Sequence, residues 1–350
     1  METNKNFTEI KISKIEIIEN QDVYDITVEK NHNFFANNIL VKNCGEVSLQ
    51  QRSFCNLTEI NVSTIENQED LLQRVWAATV IGTIQAAYTN FHYLSKEWQD
   101  NVEEEALLGV SLTGIADVDY TKFNWKEAAE YSKKINEQYA KIIGINSAHR
   151  ITNIKPSGTS GLTLGTSSGI HARHAKYYKR NIRYNKIEPI AQYLMKNHKQ
   201  IVQDEIGNEL NIVVSIPVKS PEGSVTRSET ALQFLSRVKY FLENWIIPGH
   251  TEGPNKHNIS CTINVKNGEW EKIEKWMWEN KELYNGISLF PFDGGHYVQA
   301  PFEEITEEEY DNLSKLITDI DLTQVIEYAD NTELREEVAC SGNACEVSFL

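Results

Sequence analysis

Val41-Lys42-Asn43-Cys44-Gly45-Glu46 is the stretch at which the chain changes character. Upstream of it, apolar and polar residues alternate through Ile10, Ile12, Ile15 and Ile17, and again through Val23, Tyr24, Ile26 and Val28. Glu19-Asn20-Gln21-Asp22 supplies turn formers between the two runs, and Ile39-Leu40-Val41 reads as a further short strand leading directly into Asn43-Cys44. A period of two is the strand period, so residues 1–43 are expected to form a small all-β unit. Downstream the period changes. Leu71, Leu72, Val75, Trp76, Val80, Ile84 and Tyr88 recur at helical spacing within Glu66 to Leu94. Leu108 to Thr113, Ile212 to Ile216 and Ile259 to Ile263 read as strands, separated by helices around Trp125–Ile142, Glu229–Glu243 and Glu269–Asn280. Such alternation predicts an α/β domain with crossover helices over 44–330, followed by a polar tail over 331–350.

Length and charge narrow the function classes. A chain of 350 residues can hold two domains and a sizeable core. No apolar run approaches the roughly 18–20 residues of a membrane span, and Met1-Glu2-Thr3-Asn4-Lys5 lacks a signal-peptide layout. A cytoplasmic protein is the expectation, in a host cytoplasm if the source is a phage. The formal charge of −16 argues against a nucleic-acid partner, which needs a positive footprint. It leaves a nucleotide substrate open, because backbone amides hold phosphate with few lysines. The five cysteines, Cys44, Cys55, Cys261, Cys340 and Cys345, are an odd set. In a reducing compartment such residues are more often catalytic or redox-active than structural. Cys261, in an alternating stretch, reads as a packed core residue.

Val23 to Val28, Asn31-His32-Asn33-Phe34-Phe35-Ala36 and the terminal Val41-Lys42-Asn43-Cys44 together resemble the C-terminal part of an intein of the Hint type. Periodicity alone favours a small β-subdomain on the front of an enzyme; the specific residues point instead to the intein. The resemblance implies protein splicing by Asn43, Cys44 and His32. Asn43 would cyclise onto its own carbonyl, a proximity effect, after Cys44 has received an upstream chain by thioester exchange, with His32 assisting. The position before Asn43 is usually His and is Lys42 here. With Met1 at its head and no N-terminal splicing blocks, the module reads as the C-part of a split intein whose complement is another polypeptide.

Cys44-Gly45-Glu46, with Cys55-Asn56-Leu57-Thr58-Glu59 beginning eleven residues after Cys44, resembles the finger loop of ribonucleotide reductases. That resemblance implies a thiyl radical on Cys44, a general base in Glu46, and a substrate-reducing thiol in Cys55. A carboxylate two residues beyond a cysteine on extended chain shares its side. The family's active-site Asn two residues before the radical cysteine has no counterpart, since Lys42 stands there. Neither does the disulfide partner of Cys55, so both are expected on an upstream chain.

Lys155-Pro156-Ser157-Gly158-Thr159-Ser160 has the small residues and hydroxyls of a helix start that admits an anion, or of a capped start without a ligand. With Gly169 to Arg180 it resembles the reductases' substrate-phosphate loop, which implies phosphate contacts from Pro156, Ser157, Gly158, Thr159 and Ser160. His171 and His174 lack a carboxylate or cysteine at ligand spacing, so no metal site is expected. Asn285 to Tyr297 and Gln299 to Ile305 resemble the adenosylcobalamin-dependent, monomer-type (class II) ribonucleoside-triphosphate reductases. No tyrosine pair for a second radical subunit and no glycyl-radical motif is found.

Cys340-Ser341-Gly342-Asn343-Ala344-Cys345 could exchange thiols in a mobile tail, be half of a zinc site, or be an accidental end. The reductase resemblance implies the first, recharged by thioredoxin or glutaredoxin. The fold then implied is a small all-β intein segment followed by the C-terminal part of a ten-stranded α/β barrel with a central finger loop. The activity implied is ribonucleotide reduction with adenosylcobalamin, once an N-terminal reductase fragment carrying the N-intein has been joined. A class I large-subunit fragment and a splicing-only remnant are the alternatives.

Overall fold

Alternation between strand and helix carries through most of the chain in a computed structural model that describes residues 33–36, 39–42, 47–253, 255–292 and 297–326, the first two by backbone alone. β1 (Asn33–Ala36) and β2 (Ile39–Lys42) pair antiparallel, with Asn33 opposite Lys42 and Ala36 opposite Ile39. The strands expected between Ile10 and Val28 lie outside the described residues, as does the tail over 331–350.

The next elements are β3 (Asn56–Asn61), α1 (Gln68–Ala86), α2 (Lys96–Glu105), β4 (Leu108–Thr113) and α3 (Trp125–Ile143). α1 starts where Asn67 accepts the Asp70 amide and turns Leu71, Val75, Ala78 and Ala86 to the core. It stops at Ala86 and does not run on to Leu94: beyond it Tyr88 is 80% and Tyr93 fully exposed, so the apolar pattern there buries nothing. α2, unforeseen because only Val102 of its charged sequence is buried, starts after Ser95. There follow α4 (Gly158–Leu164), β5 (Tyr177–Asn185), α5 (Pro189–Asn197), β6 (Val202–Asp204), β7 (Asn211–Lys219) and α6 (Ala231–Phe241). α6 opens with a capping box between Thr230 and Gln233 and widens into a π-turn over Leu242–Ile246. β8 (Thr262–Val265), α7 (Trp270–Glu279), β9 (Ser288–Pro291), β10 (Phe302–Glu304) and α8 (Glu307–Leu316) complete the described chain.

Two kinds of sheet result. β3 and β4 run parallel, as do β8 and β9, and residues 150–154 link the pairs through parallel bridges Val110↔Thr152 and Ile154↔Ile259. The order in space is therefore β3, β4, residues 150–154, β8, β9, with helices in the crossovers, the arrangement parallel strands require. The second sheet is antiparallel, in the order β10-β5-β7-β6. The strand read at Ile212–Ile216 belongs to this second sheet, within β7, and not to the crossover series. It pairs along its length with β5, whose Lys, Arg and Tyr residues conceal the strand period.

The main core lies between the parallel strands and the helices. Leu108, Val110 and Leu112 meet Leu71 and Val75 of α1, Trp125 of α3, and Phe241 and Trp245. Trp125 and Trp245 stand edge to face, with ring centres 6.3 Å apart. Each indole N–H is used, Trp125 donating to Tyr120 O at 2.7 Å and Trp245 to Asn153 O at 3.1 Å. Cys261 is buried in this core. A smaller cluster of Ala191, Leu194, Ile201, Ile212 and Val214 backs the antiparallel sheet. No helix among the described residues is long and apolar enough to cross a membrane.

Candidate active site

Among the described residues, helices pack on one face of the parallel strands. In the β3–β4 register Leu57 faces Gly109, Glu59 faces Ser111, and Asn61 faces Thr113. Strand geometry puts these six on one side, opposite the core-facing Ile60, Leu108, Val110 and Leu112. The neighbouring segment adds Asn153 and Lys155 to the same side. The Lys155 amide donates to Ser111 Oγ at 3.1 Å, and the Lys155 ammonium lies 3.3 Å from Glu59 Oε2. The inner face is thus polar.

Cys55 sits at the lip of this face, immediately before β3. Asn56 fixes the chain there, donating from its amide and from Nδ2 to Leu107 O, each at 3.0 Å. Burial pushes the Cys55 thiol far above the ordinary range, the Arg150 guanidinium working against the shift and Glu105 with it. Cys55 is therefore a neutral thiol at physiological pH. Arg150 and Glu105 form a buried ion pair beneath it. At Gly109 a Cβ would overlap Leu57 Cδ2 and stand 3.1 Å from both Cys55 Sγ and Asn153 Nδ2, so close approach is what this glycine provides.

His257 closes the loop that leads into Cys55. Its Nε2 lies 2.8 Å from Leu108 O and 4.0 Å from Cys55 Sγ, and its Nδ1 is 3.4 Å from the Ser48 amide. These partners assign the tautomer: Nε2–H donates to the carbonyl and Nδ1 accepts from Ser48. Burial lowers the His257 pKa to about 3, so the ring is neutral. Ser48 Oγ donates to Lys256 O at 2.6 Å and accepts from Asn285 Nδ2 at 3.2 Å. At the other end of the loop Phe54 stacks on Trp98.

The loop Pro156–Ser160 lies at the far end of the inner face. Glu59 reaches it, accepting from Ser160 Oγ at 2.5 Å. Ser157 Oγ is buried with no hydrogen-bond partner, and Ser157 N donates to Ser168 Oγ at 3.0 Å. α4 has only seven residues, so its dipole is weak; hydroxyls and the first helical amides are what the loop offers. The returning chain is held by Asp117, which accepts from Arg173 Nε and Nη2 at 2.7 and 2.8 Å and from the Ser167 amide at 2.7 Å. Gly169, at φ +53°, passes so close to Lys155 O that a Cβ would overlap it. His171 ties the same turn to β8, its Nδ1 3.1 Å from Ser168 O and its Nε2 accepting from the Thr262 amide at 3.1 Å.

Of the sequence-derived site residues, the structure brings Cys55 and Pro156, Ser157, Gly158, Thr159 and Ser160 to one face, joined through Glu59. Cys44, Glu46, Asn43, His32, Cys340 and Cys345 lie outside the described residues. Glu59, Lys155, Asn153 and His257 were missed. Glu59 was findable, two strand periods beyond Cys55; His257, 202 residues from its cysteine, carried no local signal.

Known proteins resemble the chain in sequence and in fold. The chain is 25% identical over 339 residues to the adenosylcobalamin-dependent ribonucleoside-triphosphate reductase of Lactobacillus delbrueckii subsp. bulgaricus, covering 87% of this chain and 45% of that protein. The chain is homologous to these reductases. The protein of the same name from Lactobacillus leichmannii is also 25% identical over 339 residues. That from Euglena gracilis is 23% identical over 314 residues, covering 86% of this chain and 41% of its own length. A crystal structure of a B12-dependent (class II) ribonucleotide reductase superposes with a TM-score of 0.66 at 21% identity, over 81% of this chain and 42% of that one. The shared fold is α/β with mixed sheets. This chain spans less than half the length of the curated relatives it matches. No family model matches it.

Proposed function

We propose that this chain is the finger-loop-bearing portion of an adenosylcobalamin-dependent ribonucleoside-triphosphate reductase, joined to its remaining portion by protein splicing at Asn43-Cys44. The observation that carries the reading is the polar inner face, where the Cys55 thiol and the 156–160 loop occupy opposite ends of one parallel sheet. On this reading the five parallel segments are half of a ten-stranded barrel, and 1–43, 44–330 and 331–350 are the intein segment, the catalytic part and the redox tail. The reductase likeness leaves 13% of the chain outside it, a share the size of residues 1–43. The β1–β2 pair is in keeping with a β-rich splicing module, which otherwise rests on the sequence resemblance.

The chemistry follows from the roles the resemblance gives these residues. A thiyl on Cys44 takes the 3′ hydrogen of the ribose, forming an S–H bond, while Glu46 accepts the 3′-hydroxyl proton. Water leaves C2′. Cys55 and a thiol of the joined portion then give two electrons and two protons, one of the protons leaving in the water, and become a disulfide; Cys44 returns the hydrogen to C3′ and Glu46 the proton to the 3′ oxygen, which restores the thiyl. Cys340 and Cys345 reduce that disulfide by exchange and are recharged by a thioredoxin-type dithiol. A neutral Cys55 suits the step, since a thiol that delivers hydrogen must hold its proton until the sugar calls for it. Ser157 and Ser160 hold the phosphates.

Adenosylcobalamin enters from the relatives' names. The hollow between α8 and the antiparallel sheet, lined by Lys179, Gln203 and Leu316 among others, measures about 290 Å³. That is the lower end of small-molecule sites, about 300–1,000 Å³, and a corrinoid exceeds it.

The test is to mix the chain with a complementary fragment carrying the N-intein and follow ligation by mass spectrometry. The ligated protein should reduce ribonucleoside triphosphates with adenosylcobalamin and a dithiol, and C44S made as a pre-joined protein should not. Turnover that required a separate metal-radical subunit, or ligation without turnover, would reject the reading.

A further inference from the structure

Four asparagines are buried to within about 6% of full burial, Asn136, Asn153, Asn181 and Asn258, and three of them use both ends of the amide. Asn136 donates to Thr83 Oγ1 and accepts from the Ala148 amide. Asn181 donates to Ala300 O and accepts from Ser215 Oγ. Asn258 donates to Gly286 O and accepts from the Asn285 amide. Asn153 is fully buried, yet neither Oδ1 nor Nδ2 has a hydrogen-bond partner. Its main chain is satisfied, the N–H by Val110 O and the carbonyl by the Trp245 indole, so the anomaly belongs to the side chain alone. An unpaired buried polar group costs stability, and a leucine here would not carry that penalty.

The amide is aimed at the candidate active site. Asn153 Nδ2 and Cys55 Sγ each lie 3.1 Å from the point where a Gly109 Cβ would be. Leu57, 41% exposed, crowds the same point, so the amide and the thiol meet beside a side chain at the surface. Ser157 of the phosphate loop is four residues further along the chain, at most about 14 Å away. A ligand with phosphate at Ser157 and Ser160 would therefore bring its sugar to Asn153.

We propose that Asn153 contacts the substrate, its amide exchanging hydrogen bonds with a ribose hydroxyl of the bound nucleotide. The inference rests on the reductase reading and assigns a sugar-recognition residue to it. A hydroxyl fits because it both donates and accepts, as the amide does. A site built to bond a hydroxyl also rejects the analogue that lacks it, because the amide is then left unpaired.

The test uses the ligated, full-length protein and its N153A and N153L variants, with urea unfolding and equilibrium binding of a ribonucleoside triphosphate and its 2′-deoxy and 3′-deoxy analogues. Wild type should bind one of the deoxy analogues at least tenfold more weakly than the ribonucleotide. In both variants ribonucleotide affinity should fall at least tenfold and that discrimination should collapse, while stability is unchanged or raised. Variants that lose stability but keep affinity and discrimination would show a buried structural amide or water site and overturn the proposal. A wild-type ligated protein that bound no ribonucleotide would overturn the reductase reading and this inference with it. Binding by wild type with unaltered discrimination in N153A would overturn the inference alone.

Discussion

Lowering the pH from 7 to 5 should destabilise this protein through two buried imidazoles that cannot take a proton while folded. His257 donates from Nε2 to Leu108 O and accepts at Nδ1 from Ser48; His171 donates from Nδ1 to Ser168 O and accepts at Nε2 from Thr262. A second proton on either ring would point N–H at N–H. Burial accordingly lowers their pKa values, to about 3 for His257 and about 4 for His171. In the unfolded chain both titrate near 6.5, so the unfolded state binds more protons at every pH between that value and about 4. Stability is fully present above pH 6.5 and falls as pH drops through the window. Two groups over 1.5 pH units, at about 1.36 kcal/mol per unit, make the loss roughly 4 kcal/mol at pH 5. His250 is shifted down as well, chiefly by burial, and adds in the same direction. Carboxylates held low by their partners, such as Asp70 by Arg74, contribute only at lower pH. Urea unfolding at pH 7.5, 6 and 5 measures the slope, and H257N, which can still accept from Ser48 but does not titrate, should remove about half of it. A stability that stays within about 1 kcal/mol from pH 7 to pH 5 would refute the argument.

Other perturbations have separable outcomes. D117N leaves the Arg173 guanidinium buried opposite a neutral group and should cost about 3–5 kcal/mol in urea unfolding, the penalty of breaking a buried pair. G109A should cost about 1–3 kcal/mol by overpacking against Leu57 and, in the ligated protein, lower kcat at least tenfold by displacing Cys55. T230A removes the capping box of α6 and should cost about 1 kcal/mol with no change in turnover.

The sequence made some of this legible and hid the rest for physical reasons. The strand Leu108–Thr113 and the helix from Trp125 were visible because one face of each is apolar at the right period. α2 and α8 were not, since they bury Val102 and no residue respectively and so leave no stripe. β5 reads as a basic, aromatic motif because its burial comes from β7 and β10 across the sheet, not from its own alternation. Within the site, Cys55 and the 156–160 loop announce themselves as local motifs. Asn153 and His257 do not: the one is defined by bonds it lacks, the other by contacts with Ser48 and Cys55 some two hundred residues away.

Parallel strands are ordinarily apolar on both faces because helices cover both. Here Leu108-Gly109-Val110-Ser111-Leu112-Thr113 alternates, with its three large apolar residues toward the helices and Gly109, Ser111 and Thr113 turned away. Alternation in a parallel strand means that the second face meets something other than a helix. The same face holds a neutral thiol, a Lys155–Glu59 pair and an amide with nothing to bond. The unpaired amide costs stability if it merely faces its neighbours, a cost that a polar ligand over it would offset. Among the described residues β3 has a strand on one side only, and Leu57 beside its open edge is exposed. A chain spanning 45% of its relatives' length would show such an edge if the other strands of the site come from the joined portion. On the proposed reading, a shared site would account for this departure from the usual parallel-sheet pattern, with this chain bringing Cys55 and the 156–160 loop to a substrate that it encloses only in part.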